Sequence, residues 1–269
     1  MKVHSALAAT TDGVPLGLLY QEVLVRDPQN LGKKHQRHKR DTKDKESQRW
    51  ITALQASQDA VPEKVHIIVV ADREADIYDL FTAPRRPGVD LLIRGTHNRR
   101  VNCQNDAYSP NPNPHFKAPN RKRSPKKAPF EGENQPNHLW DAARQSPIKG
   151  ELAIQLHRAN ERPPRQAILT IRYQTLKILP PQNRRNSSLK PVPVQVVLAE
   201  EKNAPPRESP ICWMLITTLP VTTLEEATQC IHWYSRRWLV ERYHFVLKSG
   251  CRVEDLQLEK GERIQRALA

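Results

Sequence analysis

The chain of 269 residues carries 43 Lys and Arg against 29 Asp and Glu, a formal net charge of +14. That length suits one large domain or one domain with a sizeable insert, and the longest nearly apolar runs, 65–71 and 211–216, fall far short of the ~20 residues of a membrane-spanning helix. Four cysteines, Cys103, Cys212, Cys230 and Cys251, are too far apart for a C-x-x-C motif and too few for a disulfide scaffold. They read as reduced thiols of a cytoplasmic chain with no export signal at its start. The positive excess points to a polyanion as partner; by charge alone, nucleic acid or acidic lipid would serve.

In chain order, residues 3–11 and 15–26 read as two strands joined across Asp12-Gly13, a favoured hairpin dipeptide. A basic stretch follows (Lys33, Lys34, Arg37, Lys39, Arg40), then a surface helix over about 41–60 with Trp50 and Leu54 on its apolar side. Residues 64–71, Lys-Val-His-Ile-Ile-Val-Val-Ala, are β-branched and nearly continuous in apolar character, which predicts a central strand buried on both faces. A short helix over 77–81 and a strand over 89–94 complete a crossover unit. From 97 to about 145 repeated prolines among Asn, Lys and Arg predict no regular core. The basic cluster Arg121, Lys122, Arg123, Lys126 and Lys127 within it reads either as a DNA-tracking surface or as a solvated loop. Strand-like runs at 150–158, 165–179, 191–200 and 211–218 form a small β-rich insert. A helix is then predicted from Thr223 to Gly250, with Thr222 or Thr223 as cap, Glu225 and Glu226 in the first turn, and Gly250 as stop.

On such a helix Tyr234, Arg237, Glu241 and Lys248 fall on one face, with Leu239, Val240, Tyr243, Val246 and Leu247 directed broadly the other way, to pack on the sheet. A carboxylate flanked by a phenol, a guanidinium and an ammonium suits a divalent cation on Glu241 and phosphate oxygens on the other three. An ordinary i, i+4 ion pair between Arg237 and Glu241 accounts for part of the same spacing. Asp72 stands at the end of an apolar strand, where open α/β sheets hold ligands; it also fits as a helix cap, a place for which Asp76 competes. Two carboxylates so placed are two parts of a metal-dependent phosphoryl-transfer site.

The run Ala71-Asp72-Arg73-Glu74-Ala75-Asp76-Ile77, followed by Tyr-x-x-Arg-Trp-x-x-Glu-x-x-x-x-x-x-Lys at 234–248, resembles the DDE transposases of the insertion-sequence-four type. The likeness extends to Val3-His4-Ser5, Lys45-Glu46-Ser47-x-x-Trp50, Leu198-Ala199-Glu200-Glu201 and Trp213-Met-Leu-Ile-Thr. It implies an α/β, RNase H-like mixed sheet with helices and a β-rich insertion before the catalytic Glu. The corresponding divisions are 1–96 (core), 97–149 (Pro-rich basic linker), 150–220 (insertion) and 221–269 (core, catalytic-Glu helix). By the resemblance Asp72 is the second catalytic Asp and Glu241 the catalytic Glu, together ligating Mg2+ or Mn2+. Tyr234, Arg237 and Lys248 complete the family signature, Arg94 contacts transposon-end DNA, and Trp213 stabilises a flipped base. The partner implied is transposon-end double-stranded DNA, bound by a dimer in full-length members, in a cytoplasmic, nucleoid-associated setting with no membrane.

Family members carry a first catalytic Asp on a central strand ahead of the hairpin that here begins at Val3. Asp12, in the hairpin turn, does not replace it. The expectation is an internal fragment lacking the first central strand, poorly stable and catalytically incompetent, with cut-and-paste DNA transposition as its ancestral function. The alternative is an inactive DNA-binding remnant or an inhibitor of a full-length transposase.

Overall fold

The structure is a computed structural model that describes residues 2–24, 48–102, 137–156, 164–182, 188–206 and 208–252, with the single positions 263 and 266. The basic stretch at 33–40, the cluster at 121–127 and the start of the first expected helix lie outside the described residues.

Strands β1 (Lys2–Ala9) and β2 (Pro15–Leu24) pair antiparallel as the expected hairpin and form a two-stranded sheet of their own. Gly13 takes φ +92° in the turn, which is the reason for Gly there, and its N–H donates to the Thr10 carbonyl at 2.9 Å. Helix α1 (Gln48–Ala60) follows and buries Ala53, Leu54 and Ser57.

Among the described residues the main sheet has seven strands. Its strands are β3 (Ile67–Ala71), β4 (Val89–Arg94), β5 (Val101–Asn102), β6 (Gly150–Leu156), β7 (Arg165–Ile178), β8 (Val192–Glu201) and β9 (Cys212–Thr217). They are ordered β3-β4-β9-β8-β7-β5, with β6 also on β7. Among the described strands only β3 and β4 are parallel, joined by the expected crossover through a 3-10 turn (Arg73–Ala75) and α2 (Tyr78–Thr82); the other pairs are antiparallel. Period-two alternation sends Leu91 and Ile93 to one face and Leu92 to the other. One face packs on Leu54 of α1, Leu80 and Phe81 of α2, and helix α3 (Leu139–Gln145); the other receives α4 (Leu224–Ser235). This mixed α/β architecture, a curled mixed sheet with helices, is consistent with the RNase H-like transposase fold.

Three expectations are corrected. The run at 64–71 forms β3, but at the sheet edge rather than its centre: among the described residues it pairs with β4 alone. Its apolar run reflects cover on both faces, since Ile67 and Val69 meet one core and Ile68 and Val70 the other; lateral pairing leaves no mark on side-chain polarity. The Ile67 N–H donates to the Gly88 carbonyl at 2.8 Å, so the alternate backbone groups of Ile68 and Val70 face the open edge.

The Pro-rich region is not without core. Leu139, Ala142 and Ala143 of α3 are buried, placed at i, i+3 and i+4 on one stripe. The prolines upstream obscure so short a signal.

The helix expected over 223–250 is interrupted. Thr223 and Glu226 close a capping box on α4, as the sequence indicates, but the chain turns at Arg236-Arg237 into α5 (Trp238–Phe245) and a π-turn (Val246–Gly250). The sheet face is taken by Ala227, Cys230, Ile231 and Tyr234 of α4, while α5 buries no residue and Val246 is 53% exposed. Helix α5 instead meets the hairpin: Tyr243 Oη donates to Gln21 Oε1 at 2.7 Å, and His244 Nε2 hydrogen-bonds with Ser5 Oγ at 3.2 Å.

Candidate nucleic-acid interface

Asp72 follows β3 directly, as expected, and caps the 3-10 turn: its Oδ1 accepts the Glu74 N–H at 2.9 Å. Both readings of Asp72 from the sequence therefore describe the same residue, a strand-end carboxylate that also caps. Arg49, largely buried on α1, ion-pairs with Glu74 and braces this turn from the side. His4 of the hairpin stacks edge-on to Trp50 at 4.5 Å. Burial above all, then the positive charges of Arg49 and His244, push the His4 imidazole down to about 4, with the Asp72 carboxylate opposing.

Asp76 takes no part in capping the 3-10 turn with its side chain. Its buried carboxylate accepts the Thr96 and His97 N–H groups at 2.8 and 2.9 Å and an ion pair from Arg99 at 2.7 Å. Nothing in the local sequence signals this role, because the partners lie twenty or more residues away.

On the helical side, Glu241 accepts from Arg237 Nη2 at 2.6 Å across one turn, the pair that spacing predicts. Burial works against the Arg237 charge, but the hydrogen bond to Glu241 and the neighbouring Tyr234 outweigh it and hold its pKa above the ordinary value. The guanidinium lies 5.9 Å from the Tyr234 ring centre, and Tyr234 meets Trp213 edge-on at 5.4 Å. Tyr234 is itself only 4% exposed, so it forms the wall beneath the polar stripe rather than part of it.

A cleft of about 430 Å³ opens between the rim of β6, the end of β9 and the α4–α5 junction, and Arg94, Trp213, Tyr234 and Arg237 all line it. Four of the seven residues singled out in the sequence thus share one concavity. Arg94 is held there by a 3.1 Å hydrogen bond from its Nη2 to the Cys212 carbonyl. Arg236, Trp238 and Gln155 line it as well; the sequence offered a signal for the first two in the doubled Arg and adjacent Trp inside the signature. Lys248 is not in this cleft. It lies on the π-turn, close enough for its charge to add to burial in lowering the His244 pKa. Among the described residues no group of three or more His, Cys, Asp or Glu is placed to hold a metal ion.

A family model described as "Transposase DDE domain" matches residues 34–269. The chain belongs to the DDE transposase family. Its members are transposases, DNA nucleases and strand transferases that bind DNA and generally use divalent metal ions. In this DDE transposase chain the described donor set does not fit a complete two-metal centre: Asp72 spends one oxygen on a cap and Glu241 is paired to Arg237, whereas two ions at ~3.5–4 Å need more carboxylate than that. What the chain does present is a cationic, aromatic-walled cleft suited to a phosphodiester backbone and an unstacked base. Among the described residues no helix is long and apolar enough to cross a membrane.

Proposed function

We propose that this chain is a core of a cut-and-paste transposase of the insertion-sequence-four type, similar to transposon-five transposase, whose target is transposon-end double-stranded DNA. Residues 1–96 and 221–269 belong to its RNase H-like core, 97–149 contributes β5 and α3 to that core, and 150–220 carries the β-rich insertion. Arg94 and Arg237 hold backbone phosphates, with Lys248 doing so from the π-turn side, and the Trp213 indole, braced edge-on by the buried Tyr234 ring, stacks a displaced base. Asp72 and Glu241 correspond to two of the family's catalytic carboxylates, and with the contacts they make here they do not by themselves complete a two-metal centre. Full-length members pair on DNA in the nucleoid. The observation that carries this reading is the convergence of Arg94, Trp213, Tyr234 and Arg237 on one cleft.

A second reading, a DNA-binding remnant without catalysis that competes with a full-length transposase, is favoured by two observations. Among the described residues no cluster of three or more carboxylate, His or Cys side chains is brought together, and the apolar strand β3 pairs on one side alone. Incubating the purified chain with a labelled transposon-end duplex and Mg2+ or Mn2+ separates the readings. Salt-sensitive binding without cleavage is expected; metal-dependent cleavage refutes the inactive reading, and no binding at any salt refutes both.

A further inference from the structure

The Asp72 turn and the segment after β4 are joined by one buried carboxylate. Asp76 is 1% exposed. Its Oδ2 accepts the N–H groups of Thr96 at 2.8 Å and His97 at 2.9 Å, and its Oδ1 accepts Arg99 Nε at 2.9 Å and Nη2 at 2.7 Å. Arg99 Nη2 also donates to the Asp76 carbonyl. The Asp76 N–H donates back to the Arg73 carbonyl at 3.3 Å and the Ala75 N–H to the Asp72 carbonyl at 3.2 Å, so Asp72 and Asp76 are the two ends of one closed turn. Thr96 lies two residues beyond Arg94, whose guanidinium lines the cleft.

A buried ion pair is a poor source of stability, because well-packed apolar groups of the same volume do as well or better. What four donors on one carboxylate supply is direction. We propose that Asp76 is a positioning residue of the DNA site. It locks the segment Gly95–Arg99 onto the Asp72 turn and so sets how the Arg94 guanidinium, at the end of β4, is presented to the DNA backbone relative to that turn. This rests on the DNA-binding reading above, and the experiment separates the two.

Asp76→Asn keeps the shape and removes the charge. Binding of a short fluorescein-labelled DNA duplex is measured for the unaltered chain, Asp76→Asn, Arg94→Ala and the double variant, with amide exchange followed on the free proteins. The expected result is a folded variant in which the Thr96 and His97 amides exchange faster and the Glu74 amide, held by Asp72, accelerates with them. The Kd rises about tenfold, and the loss shrinks to about twofold or less once Arg94 is absent. An unchanged Kd, or an equal loss with and without Arg94, is what a merely structural role gives and overturns the proposal. Should Asp76→Asn fail to fold, Arg99→Lys, which keeps the charge and loses the fork, is expected to show the same coupling to Arg94; its absence overturns the proposal equally. If the unaltered chain binds no duplex, the DNA reading fails, and the Glu74 amide decides for Asp76: an exchange rate unmoved by the substitution refutes the positioning role.

Discussion

Glu241→Gln is expected to tighten DNA binding in the absence of metal. Three arginines, Arg94, Arg236 and Arg237, line the cleft, and the Glu241 carboxylate, 62% exposed, sits 2.6 Å from the Arg237 guanidinium. The anion offsets one cation, leaving the equivalent of about two for phosphates; the amide restores about three. With each neutralised phosphate contributing about 0.9 to the slope of log K against log salt, the slope steepens by about 0.9, and at ~0.1 M salt the gain is about eightfold. Fluorescence anisotropy of a labelled duplex over a salt series in EDTA reads both numbers. Weaker or unchanged binding, or an unchanged slope, would mean that the phosphates do not lie over Arg237, and the electrostatic account of the cleft would fall.

Tyr234→Ala removes a ring buried in the second core and edge-on to Trp213, and is expected to cost about 3 kcal/mol, read as a lower urea midpoint with altered tryptophan emission; Tyr234→Phe, which keeps the ring, should lose far less. Thr223→Ala opens the capping box of α4 and is expected to cost about 1 kcal/mol in the same assay. The His4 imidazole titrates near 4 when folded against 6.5 ordinarily, so between those values the unfolded chain binds the extra proton. Stability is therefore complete above about pH 6.5 and declines as pH falls towards 4, by on the order of 1 kcal/mol once solvent screening of the half-buried ring is discounted. His4→Phe should flatten that part of the pH–stability curve, and an unaltered slope would contradict the assignment.

Much of this was readable along the chain. Asp12-Gly13 between two alternating runs marks a hairpin because the turn needs positive φ. The Thr223–Glu226 box marks a helix start because both groups sit within one turn. The Arg237–Glu241 pair follows from helical spacing. Asp76 was not readable: its acceptor role depends on Thr96, His97 and Arg99 arriving from the far side of β4, and a local window sees only a second candidate cap. Tyr234 misled in a different way, since its place in a polar signature suggested an outward stripe, while burial against Trp213 depends on how α4 meets the end of β9.

By itself, the sequence determined most of the strands, the start of α4, the order of those elements, the excess of positive charge, and a set of side chains able to carry chemistry. These depend on interactions within a few residues, or on composition, and so survive without knowledge of the fold. Only the tertiary structure decided that β3 ends the sheet among the described strands, that the last helix tightens at Arg236-Arg237 between α4 and α5, and that Arg94, Trp213, Tyr234 and Arg237 line one cleft while Lys248 lies elsewhere. Lateral strand pairing and convergence across more than a hundred residues are set by packing between elements, and packing has no local signature.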